Sequence, residues 1–246
     1  ASLALQERLP FISLLEGSGE RSSNALERHP YAPSDMQILA NLSGIVPTVA
    51  LIVGPSAGHG AITGILKDFI VMTSDACLFA AGPPLVEAAL GEKISKQALG
   101  GAAMHTSVSG VAHNQVDDFL QGVRLVRQYL SFFPTSAYQL AAQKQSALSQ
   151  SRSLVEVFDI VPNDDRIAYD MHKLIDLVVD DSDDCIEIQP SYGRSIITSL
   201  ARIGGYPVAI VANQPSVQAG AITAEAADKA AHFIDVCNAF HLPFVF

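Results

Sequence analysis

The sequence is poor in cysteine, in positive charge and in long apolar runs, and each shortage removes a class of protein. Its three cysteines, Cys77, Cys185 and Cys237, are odd in number and far apart. They sit in apolar surroundings without metal-ligand spacing, so buried, reduced thiols in a cytosol-like compartment are the expectation. Fifteen Lys and Arg stand against 25 Asp and Glu, a net charge of −10. That balance argues against nucleic acid as a main partner, because neutralising phosphates takes clustered cations. No apolar run approaches the ~18 residues that mark a transmembrane helix. Nor does the start read as a signal peptide, since Ala1 begins inside what looks like a helix.

What the chain does have is apolar mass and small residues. Of 246 residues, 49% are hydrophobic, enough for one large core or two modest ones. Residues 49–53 form a continuous apolar run, too short for a typical helix and rich in β-branched side chains. That suits a strand buried on both faces of a largely parallel sheet. Gly54-Pro55 is expected to break it. Ser56-Ala57-Gly58-His59-Gly60-Ala61 then leads into residues 62–66, which can be helical. A strand, a glycine turn and a helix start leave several backbone N–H groups pointing at one spot, where a ligand can approach closely. Such a corner can hold a phosphate, or the oxygen of a carbonyl turning into an anion.

Around this corner the rest follows in order. Residues 2–8 resemble the last turns of a helix, and Leu9-Pro10 leads to a buried apolar strand at 11–15. That strand ends in a second glycine-rich corner, Glu16-Gly17-Ser18-Gly19. Residues 22–33 are polar and Pro-bounded, a surface loop. Ser34 and Gln37 form a capping box for a helix carrying Met36, Leu39 and Leu42, which Gly44 closes. Short strands follow at 69–72 and 77–80, a helix at 85–90, and loops at Gly100-Gly101 and Ser109-Gly110. Asn114 caps a long helix with Val116, Phe119, Leu120, Val123, Val126 and Leu130 on a helical period. Residues 135–153, dominated by Gln, Ser and Ala, read as a linker between a first domain at 1–134 and a second at 154–246. In the second, Met171, Leu174, Ile175 and Val178 mark an amphipathic helix and 185–189 a strand. A hairpin turns at Gly204-Gly205, and Thr223 caps another helix. Leu9-Pro10-Phe11-Ile12 is echoed by Leu242-Pro243-Phe244-Val245, as in two related halves. The echo stops in mid-strand at Phe246, so the chain is expected to be part of a longer protein.

Several motifs then fall in one order: Gly54-Pro-Ser-Ala-Gly-His59, Ala81-Gly-Pro-Pro-Leu-Val86, Leu99-Gly-Gly-Ala102 with His105, and Ser109-Gly-Val-Ala-His113. Tyr169-Asp-Met171, Ala201-Arg-Ile-Gly-Gly-Tyr-Pro-Val208 and Ile210-Val-Ala-Asn-Gln-Pro215 continue it. Together they resemble the carboxyltransferase (β) subunit of biotin-dependent acyl-CoA carboxylases, of the propionyl-CoA and methylcrotonyl-CoA type. The resemblance implies an α/β, crotonase-like (ClpP/crotonase) spiral of β-β-α units in two related domains, both incomplete here. It implies transfer of a carboxyl group from carboxybiotin to an acyl-CoA through an enolate, with biotin itself as the base and no metal in this chain.

The family's Gly-Gly pair falls on Gly58 and His59, whose backbone N–H groups would form an oxyanion hole. We assign that hole to the thioester carbonyl, with the ureido oxygen of biotin as the alternative. Gly17, Ser18, Gly19, Ser56, Ala57 and Gly60 would line the substrate site. His59 departs from the family's second glycine and sets a side chain beside the acyl group. The implied partners are a biotin carboxylase/biotin carrier (α) subunit and further copies of the chain, in a dimer that commonly assembles into a hexamer. The implied location is the cytoplasm, or the mitochondrial matrix in a eukaryote.

Other readings compete with this one. Gly54-Pro55-Ser56-Ala57-Gly58 satisfies the Gly-x-Ser-x-Gly pattern of a serine hydrolase, with His59, His105 or His113 as the base. The same family also admits an acyl-CoA decarboxylase subunit or a non-catalytic paralogue. His105 and His113 are expected to be local hydrogen-bonding groups. The run Asp180-Asp181-Ser182-Asp183-Asp184 lacks the alternating ligands of a calcium loop and reads as a solvated turn.

Overall fold

The computed structural model describes residues 1–17, 19, 35–145, 154–164 and 166–246, in two compact units, Ala1–Arg127 and Gln128–Phe246. The expected surface loop at 22–33 and the cap at Ser34 lie outside the described residues. In the first unit, α1 (Ser2–Glu7) leads into β1 (Phe11–Gly17), and α2 (Asp35–Ala40) precedes β2 (Thr48–Ala57). Then come α3 (His59–Ile65), β3 (Phe69–Thr73), β4 (Cys77–Phe79), α4 (Pro83–Leu90), α5 (Lys96–Gly100), α6 (Ala102–Ser107), β5 (Asn114–Val116) and α7 (Phe119–Leu130), whose last three residues belong to the second unit.

These five strands form one parallel sheet in the order β1-β2-β3-β5, with β4 beside the far end of β2. Ala50, Ile52, Ile70, Met72 and Leu78 of this sheet pack with Ala61, Ala102 and Ala112 into the unit's core. The central strand does not break at Gly54-Pro55. It changes neighbours there: Val49–Ile52 pair with β3, and Pro55–Ala57 pair with β4. Proline is tolerated at that switch, where the ladder is already interrupted.

The strand β1 is also not buried on both faces. It lies at the sheet edge and alternates, leaving Ile12 and Leu14 exposed. Gly100-Gly101 is not a loop either: Gly100 closes α5 and Gly101 caps α6. A Cβ at Gly100 would stand 2.1 Å from the Leu78 carbonyl oxygen, so close packing demands the glycine. Asn114 belongs to β5, paired with β3, and the helix starts later, where Asp118 Oδ1 accepts from the Gln121 amide at 2.8 Å.

The second unit holds α8 (Val157–Ile160), α9 (Met171–Val178), β6 (Ile186–Glu187), β7 (Ile196–Ile203), β8 (Tyr206–Asn213), α10 (Ala224–Ala239) and β9 (Phe244–Val245). Its sheet runs β6-β7-β8-β9, antiparallel except for the β8–β9 pair. The hairpin turns at Gly204 and Gly205, both at positive φ, and the Asp180 carboxylate accepts from both their amides, at 2.8 and 2.6 Å. Ile175 and Val179 pack on Ile197, Ala201, Val208 and Ile210 to make this unit's core. Residues 135–145, the described part of the expected linker, hold no helix or strand, and the Lys144 amide donates to the Gly205 carbonyl.

Candidate functional site

The site expected from the sequence is assembled where β2 gives way to α3. Gly58 joins them with φ 62° and ψ −125°, a conformation that a side chain resists. Among the described residues, nothing lies within 4 Å of where a Cβ of Gly58 or of Gly60 would stand. Around this corner the fold gathers most of the candidate residues. Gly17 pairs with Ser56, Gly19 approaches the Ala57 carbonyl oxygen, and Ala57 is the last residue of β2. Ser18 lies outside the described residues.

One amide differs from expectation. The Gly58 N–H donates to the Phe79 carbonyl at 3.1 Å, because the β2–β4 ladder extends one residue further than the turn signal indicates. The open donors therefore shift along the chain. His59 and Gly60 lie in the first turn of α3, where no carbonyl four residues back is available within the helix.

The Ser56 side chain is also misplaced for the hydrolase reading. A nucleophile elbow needs the serine on a sharp strand-to-helix turn. Here Ser56 sits inside β2, paired with Gly17 and Leu78, and its Oγ is buried with no hydrogen-bond partner, histidine included, among the described residues. His105 is occupied elsewhere, with Nε2 2.7 Å from the Leu78 carbonyl oxygen and Nδ1 2.8 Å from Ser109 Oγ. His113 Nδ1 accepts the Ile70 amide at 2.8 Å. Both are local hydrogen-bonding groups, as the sequence indicates.

Two features were not legible in the motifs. Asp35 Oδ2, at the start of α2, lies 2.6 Å from His59 Nε2, and its Oδ1 accepts the Met36 amide. The imidazole hydrogen bond holds the Asp35 carboxyl below the usual carboxylate range. The second feature is a charged chain in the other unit. His172 Nδ1 meets Asp170 at 2.8 Å and its Nε2 meets Glu187 at 2.9 Å, while Lys229 Nζ lies 3.7 Å from Glu187 and donates to the Ile196 carbonyl. The acidic run is spent structurally. Asp180 holds the hairpin turn, Asp181 caps Asp183, and Asp184 pairs with the buried Arg202 and with Lys144. Among the described residues, no three His, Cys, Asp or Glu side chains are grouped to hold a metal ion, and no helix is long and apolar enough to cross a membrane.

The chain belongs to the carboxyl transferase domain family, which matches residues 1–246. It is 34% identical over 242 residues to the methylmalonyl-CoA carboxyltransferase 12S subunit of Propionibacterium freudenreichii subsp. shermanii, covering 98% of this chain and 46% of that protein. With the mitochondrial propionyl-CoA carboxylase beta chain of Mus musculus it shares 33% identity over 237 residues, covering 96% and 44%. A solved transcarboxylase 12S structure, a hexamer with methylmalonyl-coenzyme A and methylmalonic acid bound, superposes with a TM-score of 0.91 at 34% identity. That superposition covers 99% of this chain and 47% of the other, so the α/β fold is the crotonase-like one. The chain spans about half the length of the curated relatives it matches.

Proposed function

We propose that this chain is part of a biotin-dependent acyl-CoA carboxyltransferase, and that the β2–α3 corner is its acyl-CoA site. The observation that carries the reading is the family match along the whole chain, with the His59 and Gly60 amides, one residue on from the positions of the family's Gly-Gly pair, at the start of α3. Bound carboxybiotin would supply the carboxyl group. This chain's part is to hold the thioester oxygen as it gains charge. The N–H groups of His59 and Gly60 are fixed by the helix start and need no reorganisation. Each such donor contributes about 3 kcal/mol to an oxyanion in a closed site. The adjoining glycines, Gly17 and Gly19, allow close approach of the substrate, and the second half-site would come from another part of the protein or a second copy. The two halves, 1–134 and 154–246, correspond in this reading to the family's two domains. A biotin-carrying subunit is the partner, an oligomer the working state, and the cytoplasm or mitochondrial matrix the location.

The test is to incubate the full-length protein and its biotin-carrying partner with ATP, labelled bicarbonate and a panel of acyl-CoAs. Label entering an acyl-CoA supports the reading. Label in none of them, with carboxyl loss from a malonyl-type CoA instead, replaces it by the decarboxylase; neither outcome leaves a non-catalytic subunit.

A further inference from the structure

We propose that the Asp35–His59 pair is an acid–base dyad that lets this protein exchange the α-proton of a bound acyl-CoA without biotin. The inference rests on the acyl-CoA reading of the corner, but its evidence is the dyad itself. The Asp35 carboxylate is ionised at neutral pH and can only accept, so the 2.6 Å contact requires the proton on His59 Nε2. In the neutral ring that leaves Nδ1 as a bare acceptor. Among the described residues, no hydrogen bond engages Nδ1. The imidazole belongs to the same residue whose amide would face the thioester oxygen in that reading, and among the described residues nothing lies within 4 Å of where a Cβ of Gly58 or Gly60 would stand. A base oriented by a carboxylate, next to donors for the developing enolate, is the arrangement that proton abstraction beside a carbonyl needs.

The step balances within the chain and its substrate. The α-C–H bond breaks, its proton passes to Nδ1, and its electron pair becomes the enolate, whose oxygen the His59 and Gly60 amides hold. Return of a solvent-exchanged proton from Nδ1 restores the thioester. Asp35 is a positioning residue in this scheme, since it fixes the tautomer without touching substrate.

The experiment incubates the full-length protein with propionyl-CoA in D2O, without bicarbonate, ATP or the biotin-carrying partner, and follows α-deuterium by mass spectrometry. Carboxyl transfer is measured in parallel with the partner present. The wild type is expected to take up α-deuterium at a rate well above that of the protein-free blank. His59→Gln is expected to lose exchange. Asp35→Asn, at an exposed position, is expected to lower the ratio of exchange to carboxyl transfer at least tenfold. A loss of folding lowers both rates together and leaves that ratio unmoved, which overturns the role given to Asp35. Normal carboxyl transfer without deuterium uptake overturns the dyad and leaves the carboxyltransferase reading standing. Exchange that persists in both variants assigns the base elsewhere and overturns the proposal, and failure of both wild-type reactions removes the acyl-CoA reading with it.

Discussion

The buried lysine of the second unit provides a quantitative check. Lys229 lies on α10 with a fully buried side chain, its Nζ 2.8 Å from the Ile196 carbonyl and 3.7 Å from Glu187. Burial lowers its pKa from the ordinary 10.5 to about 8, with Glu187 opposing the shift. Below about 8 the amine is charged in both folded and unfolded chain, and the full cost of burying the charge is present. Between 8 and 10.5 the folded chain gives up its proton first, so the unfolded state binds more protons and stability rises with pH. The span corresponds to about 3 kcal/mol.

Thiols work the other way in that range, since burial raises Cys185 to about 11 and raises Cys237 further. The difference between wild type and Lys229→Met isolates the lysine. Urea unfolding followed by far-UV circular dichroism at pH 7, 8, 9 and 10 measures it, the sequence having no tryptophan. Wild type is expected to gain up to about 3 kcal/mol on the methionine variant between pH 7 and 10. A flat difference refutes the reasoning, because a lysine with an ordinary pKa is solvated or fully compensated.

Three further outcomes follow from the same geometry. Ser56→Ala removes a buried, unpartnered hydroxyl; it is expected to leave stability unchanged or raise it by about 1 kcal/mol, and to keep most carboxyl transfer, whereas a serine hydrolase loses activity by orders of magnitude. Gly100→Ala sets a methyl 2.1 Å from the Leu78 carbonyl oxygen; displacing β4 is expected to cost about 3 kcal/mol and to disturb the Gly58–Phe79 bond at the β2–α3 corner, read as a lower melting temperature together with, on the proposed function, lost carboxyl transfer. His172 feels burial against its charge, but Glu187 and Asp170 outweigh it and raise its pKa. Its contribution is therefore full at pH values below the unfolded pKa and is lost as pH rises through the folded one. After screening at a half-exposed site it amounts to about 1 kcal/mol, and denaturation at pH 5.5 and 8 should show His172→Gln without that drop.

Much of this protein was already determined by its sequence, wherever cause and effect lie within a few residues. The Gly204-Gly205 hairpin, the Thr223 cap and the helix at Met171–Val178 arise from turn chemistry, capping and a 3.6-residue period. The colinear motifs carried the family. Where ladders and pairs join distant residues, only the tertiary structure decided. It kept Pro55 in a strand by moving β2 from one neighbour to another, and it made Asn114 part of β5 because β3 had an open edge. It also joined Gly58 to Phe79 and brought Asp35 to His59 across 24 positions. A residue's type states what bond it can make; which partner arrives to make it depends on how separate segments pack.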